Sequence, residues 1–187
     1  MRTRLLAYVL GILVAAATSA LAGEDSGISG RFMLDTQDGR RITDEAFAGK
    51  VRVVTFGYTF CPDICPTTLS TLSVVVDRMR PQADKVAFLF VSVDPERDTS
   101  SHLKDYLASF PGITGLTGTP GMVASAARNF KVVYEKHPAG PSGEYSIDHS
   151  AGIYIMGRNG EFLAKLPHIT PPDEVAQRVD AAIRTGR

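Results

Sequence analysis

The chain's 187 residues contain two cysteines, four apart in Cys61-Pro62-Asp63-Ile64-Cys65. Thiolates are nucleophiles and soft metal ligands. The pair therefore offers a structural disulfide, thiol–disulfide exchange or metal binding. A disulfide here would close a loop of about five residues, for which the chain-entropy relation gives only about 2 kcal/mol. A domain of this size hardly requires that staple. Cys-x-x-x-C is one residue longer than the redox Cys-x-x-Cys pattern. The extra residue widens the gap between sulfurs, which suits closure on one ion and does not forbid exchange. If the segment is helical, the spacing puts both sulfurs on one face.

Two thiolates without a third ligand make an open site. The histidines are His102, His137, His149 and His168. His102 falls at a helix start, His137 in the polar 136–142 loop, and His168 before the Thr170-Pro171-Pro172 helix start. These three read as surface or loop residues. His149 directly precedes the apolar run Gly152 to Met156, a junction expected to come near the cysteine loop. Two thiolates and an imidazole favour Cu(I) and can hold Cu(II) or zinc. Structural zinc normally takes four protein ligands, and only three are found. Copper on two sulfurs and one nitrogen is the best chemical match.

The elements that must position these groups are legible from periodicity. Val51 to Gly57 is β-branched and apolar, a buried strand. Pro66 to Met79 repeats apolar residues at Leu69, Leu72, Val75, Val76 and Met79, one face of a helix. The cysteines lie between the two, where ligands collect at strand carboxyl ends. Helix-start N–H groups favour anions, which predicts a lowered pKa for one or both thiols. Val86 to Val93 is nearly all apolar, a central strand covered on both faces. Asp98-Thr99-Ser100 supplies capping residues for a helix over 101–110, and Thr119-Pro120 opens another to Asn129. Val132 to Tyr134, Gly152 to Met156 and Glu161 to Ala164 read as strands, the last two joined at Arg158-Asn159-Gly160. Pro171-Pro172 starts a final helix to about Ile183. Arg31 to Leu34 and Arg41-Ile42 flank Asp38-Gly39 as a hairpin. The expected fold is α/β and thioredoxin-like: a central mixed sheet flanked by helices, with an added N-terminal hairpin.

Arg2 and Arg4 precede an uncharged, mostly apolar run from Leu5 to Ala22, ending in Ala20-Leu21-Ala22. Residues 1–22 read as a secretory signal or an N-terminal membrane anchor. As helix the run spans about 27 Å, just short of a hydrocarbon core of about 30 Å. Either way the rest of the chain is exported, into a bacterial periplasm. Residues 23–30 are small and polar, a tether, leaving 31–187 as the domain. Without Arg2 and Arg4 the chain keeps 18 basic residues against 20 acidic. No basic stripe marks a nucleic-acid partner, and nothing demands more than a monomer.

The sequence resembles the Sco/SenC proteins, thioredoxin-fold copper chaperones for cytochrome c oxidase assembly. The matching segments are Gly57 to Pro66 (GYTFCPDICP), Ser92 to Thr99 (SVDPERDT), Gly115 to Thr119, and Asp148-His149-Ser150 followed by Ile153-Tyr154-Ile155. They recur in family order over about residues 30–185. The resemblance implies that Cys61, Cys65 and His149 are copper ligands and that the chain is exported, often with an anchor. It also implies subunit II of cytochrome c oxidase as partner, whose dinuclear copper site needs copper and two reduced cysteines. Phe60 stands where relatives often carry a histidine.

Two functions share the cysteines. As a metallochaperone, the reduced pair and His149 hold copper and pass it on; this requires an external, thioredoxin-like reductant. As a thiol–disulfide oxidoreductase, Cys61 attacks and Cys65 resolves, with His149 tuning a thiolate. A weaker peroxidase reading rests on Thr59 close before Cys61. Asp98 is expected to cap the following helix and Arg97 to pair with a neighbouring acid. Asp94 and Asp148 are equally open to orienting His149 or to structural roles.

Overall fold

The structure, a computed structural model, describes residues 27–139 and 145–186. The signal or anchor read in 1–22 and the first part of the tether lie outside the described residues. At the tether's end, Ser29 and Gly30 donate their N–H groups to the Asn129 carbonyl, so these two residues pack on the domain.

Strands β1 (Met33–Thr36) and β2 (Arg41–Thr43) form the expected hairpin. There follow β3 (Val51–Gly57), α1 (Ile64–Met79), β4 (Val86–Ser92), α2 (Ser100–Leu107), β5 (Ile113–Thr117) and α3 (Pro120–Asn129). Next come β6 (Tyr134–His137), β7 (Ser146–His149), β8 (Ile153–Met156), β9 (Phe162–Leu166) and α4 (Pro172–Thr185). The main sheet runs β2-β1-β5-β4-β3-β8-β9, with β3, β4 and β5 parallel and the outer pairs antiparallel. Strands β6 and β7 make a separate two-stranded ribbon. This mixed sheet flanked by helices is the thioredoxin-like plan.

Side chains alternate between two cores, as the period of a strand requires. Phe88 and Phe90 of β4 face α1, α2 and α4, where Leu69, Leu72, Leu103 and Val179 are buried. Leu89 and Val91 face the other way, toward Val123, Ala126 and Phe130 around α3 and toward Ile147 of the ribbon. β3 is buried at all seven positions, which is why its sequence shows no polar alternation.

Three elements depart from the sequence reading. Asp98 does not cap α2; Thr99 does, its hydroxyl accepting the His102 N–H at 3.2 Å. β5 was not anticipated, because its Thr-Gly-Leu-Thr run lacks a continuous apolar pattern. Gly115 is nevertheless suited to it: a Cβ there would come within 2.6 Å of Leu107 Cδ1 and 2.7 Å of Leu103 Cγ, so the glycine admits α2 onto the sheet. The strand read at Val132–Tyr134 lies later, at Tyr134–His137, and pairs with β7, whose polar sequence gave no strand signal.

Candidate metal centre

β3 ends at Gly57 and the chain turns through Tyr58 to Asp63 into α1. Cys61 sits half-buried in that turn, its N–H donating to the Tyr58 carbonyl at 3.3 Å. Cys65 is the second residue of α1 and is buried. His149 closes β7, opposite Tyr134 in the ribbon. The ribbon thus carries the imidazole to the two thiols from a segment more than eighty residues away. The ligand atoms of Cys61, Cys65 and His149 all lie within 4.8 Å of one another, and Cys65 Sγ is 3.5 Å from His149 Nε2. Thiolate and imidazole ligands bind at roughly 2.0–2.3 Å, so two on one ion stand at most about 4.6 Å apart. The three groups are already near the spacing a single ion requires, and neither cysteine is bridged. Among the described residues His102, His137 and His168 stay outside this group, and His137 ends strand β6 instead of lying in the expected loop.

Burial sets the protonation of the site. It pushes the Cys65 thiol well up, and the Asp98 carboxylate and Cys61 add to the shift. The sequence expectation of a lowered thiol pKa therefore fails for Cys65: at this helix start, desolvation of the thiolate outweighs the favourable field of the N–H groups. Burial also lowers the His149 pKa, against a partly compensating pull from the Ser150 backbone and Asp148. The imidazole is neutral at neutral pH, the form that could serve as a ligand.

Tyr58 ties the cysteine loop to the ribbon. Its hydroxyl accepts the Ile147 N–H at 3.3 Å, and its ring meets His149 edge-on at 6.1 Å. Arg97 makes a second tie. Its Nε donates to Asp94 and its Nη1 to the Tyr145 carbonyl. Its guanidinium lies 3.5 Å from the Tyr145 ring centroid and 4.4 Å from that of Phe60. Asp94 also accepts from the Tyr145 hydroxyl at 2.7 Å. Its carboxylate thus braces Arg97 and the chain entering β7 and makes no hydrogen bond to His149. Asp148 is exposed and pairs with His137 at 2.9 Å, so it too makes none.

Asp98 is fully buried under the cysteine loop. It accepts the Thr59 N–H at 3.1 Å, the Thr59 hydroxyl at 2.6 Å and the Ser92 hydroxyl at 2.5 Å. The roles of Tyr58, Thr59 and Ser92 escaped sequence reasoning. Nothing in their spacing marks them, although all three fall inside the segments that carry the family resemblance.

Gly57 sets how closely the sheet approaches the thiol. A Cβ there would lie 2.7 Å from Cys65 Sγ and 2.8 Å from Phe90 Cε2. Both neighbours are buried and have nowhere to go. Gly57→Ala is expected to destabilise the domain by about 1–3 kcal/mol and to weaken metal binding by displacing the sulfur. Chemical denaturation and a metal titration on one sample read both; an unchanged midpoint and affinity would show that the contact is not tight.

The SCO1/SenC family model matches residues 21–184. The mitochondrial SCO1 homolog 1 of Arabidopsis thaliana is 39% identical over 140 residues, 74% of this chain and 42% of that protein. The chain spans about half the length of the first curated relatives it matches. Among solved structures, Bradyrhizobium japonicum ScoI with copper bound has a TM-score of 0.77 at 42% identity, covering 83% of this chain and 99% of that one. BsSco, described as a member of the Sco family of cytochrome c oxidase assembly proteins and as carrying a disulfide switch, has a TM-score of 0.67 at 26% identity, covering 83% and 92%.

Proposed function

Since the chain belongs to the SCO1/SenC family, we propose that it is a copper metallochaperone whose ligands are Cys61 Sγ, Cys65 Sγ and His149 Nε2. The observation that carries this is the convergence of three soft-ligand atoms within 4.8 Å. Copper is the cargo, as Cu(I) or Cu(II). Three protein ligands leave the ion open to an incoming thiolate, so it can pass to a recipient by ligand exchange. The recipient proposed is the dinuclear copper site of cytochrome c oxidase subunit II, or another exported copper protein. Residues 1–22 would direct export or anchor the chain, 23–30 would tether it, and 31–187 would act on the periplasmic side.

A second activity uses the same pair. Cys61 is half-buried and Cys65 buried, which orders them as attacking and resolving thiols. Cys61 thiolate attacks a partner disulfide and releases one partner thiol. Cys65 then displaces the other, leaving Cys61–Cys65 oxidised and the partner reduced by two electrons. A thioredoxin-like reductant would restore the pair.

The test is copper stoichiometry and absorption on the reduced chain beside His149→Ala. One copper per chain, with a thiolate-to-Cu(II) charge-transfer band that shifts in the variant, is expected. No retained copper with dithiol chemistry intact would leave only the oxidoreductase; an unchanged band and affinity in the variant would remove His149 from the ligand set.

A further inference from the structure

At the opposite end of β3 from the thiols lies a cavity of about 240 Å³. Its walls are the 3-10 turn Asp44–Phe47, the start of β3 and the turn between β8 and β9. Arg52 and Gly57 are five residues apart on that strand, about 17 Å, so this cavity shares no residue with the copper site. Three arginines converge on it: Arg31, Arg52 and Arg158. Arg52 is only 3% exposed, yet its Nη1 makes no hydrogen bond among the described residues. The Nε of Arg158 is buried and likewise without a partner. Gly160 leaves Arg52 its place, since a Cβ there would lie 2.8 Å from Arg52 Nη2.

Two carboxylates also line the cavity, and a third, Glu161, acts on Arg52, but none of them hydrogen-bonds the Arg52 Nη1 or the Arg158 Nε. Asp44 Oδ1 accepts the Phe32 N–H at 3.3 Å and lies 3.5 Å from Arg31 Nε. Its Oδ2 is 3.8 Å from Arg52 Nη1, beyond hydrogen-bond reach. Glu45 holds Arg31 Nη2 at 3.0 Å. Arg158 forms no ion pair among the described residues. Burial lowers the Arg52 pKa, aided by the Arg31 charge, more than Asp44 and Glu161 raise it. A guanidinium has five donors and no acceptor, so only an acceptor can satisfy these buried N–H groups, and a desolvated donor left alone is unfavourable. Planar donor forks match oxyanions in geometry and in charge.

We infer that this cavity binds a small oxyanion, a phosphate group, between Arg52 and Arg158 with Arg31 at its mouth. A tetrahedral anion suits donors arriving from three directions better than a planar carboxylate does. The phosphate is either free or carried on a lipid headgroup, the latter brought close if residues 1–22 lie in a membrane.

The test titrates inorganic phosphate into the full chain in nonionic detergent, by calorimetry and thermal melting, against sodium chloride of matched ionic strength. Saturable one-site binding and a raised melting midpoint are expected. Arg52→Gln would disturb a buried position and could fail to fold. Arg158→Gln lies on a half-buried turn. It should weaken phosphate binding about tenfold while leaving copper binding and the phosphate-free midpoint unchanged. Phosphatidylglycerol doped into the micelles separates the sources: competition with phosphate assigns a headgroup, and undiminished phosphate binding assigns a free oxyanion. Heat no greater than chloride gives, or equal affinity in Arg158→Gln, would overturn the site.

Discussion

Cys65→Ser is expected to weaken copper binding on the order of a thousandfold, enough for the ion to be lost on desalting. Apparent binding energies at structural thiolate sites run to about 10–16 kcal/mol. One of three ligands therefore carries roughly 4 kcal/mol, which is about a thousandfold. Serine keeps the size of the side chain but is not a thiolate. Because Cys65 is buried in α1, no water-exposed rearrangement supplies a substitute at that point. The comparison is a competition titration of reduced parent and variant against a chelator of known affinity. A loss below tenfold would mean that Cys65 is not a ligand.

The same site fixes the pH dependence. The Cys65 thiol has a raised pKa, so the apo chain still holds that proton at pH 7–8 and copper must expel it. Affinity should rise about tenfold per pH unit for each proton released. His149 has a lowered pKa, so it is neutral at pH 7 and releases nothing there. Below its folded pKa it must also lose a proton to bind, and affinity should fall more steeply. For the apo fold the sign follows from the same shift. The unfolded chain binds the His149 proton near 6.5, before the folded chain does. Stability is therefore lost as pH falls from 6.5 through the folded pKa. Proton release in weakly buffered solution measures the first effect; a stoichiometry of zero at pH 7.5 would contradict the protonated Cys65.

Asp98→Ala is expected to cost about 3–5 kcal/mol of stability and to weaken copper binding, although Asp98 touches no metal. The substitution leaves the Thr59 N–H and the Ser92 hydroxyl without their acceptor, while the Thr59 hydroxyl keeps the His102 Nε2 at 2.9 Å. Each buried orphan costs about 1–3 kcal/mol. Thr59 lies two residues before Cys61, so freeing it lets the cysteine loop move, and the preformed spacing of the ligands is lost. Urea unfolding of the apo variant gives the first number and copper competition the second. A change below about 1 kcal/mol would show that water replaces the carboxylate without loss.

The largest part of the architecture is legible in the sequence. Val51–Gly57 and Val86–Ser92 read as central strands because both faces of each are covered. α1, α3 and α4 read as helices because their apolar residues repeat at steps of three and four or because proline opens them. β5 and β7 did not read, because Gly115 and the polar run Ser146-Ile147-Asp148-His149 are stabilised by what packs or pairs against them.

At the metal centre, residue chemistry alone determined the kind of ligand: two thiols on one turn and a soft cation to match. Their spacing is local, and local spacing is written in the sequence. Tertiary structure decided the rest. It brought His149 to Cys65 through a ribbon and buried the Cys65 thiol enough to reverse the expected direction of its pKa. It also turned Asp98 from an expected helix cap into the acceptor under the cysteine loop. The physical reason is common to all three. Long-range contact, desolvation and buried hydrogen-bond partners depend on which segments meet in space, and periodicity along the chain records only which side of an element is covered.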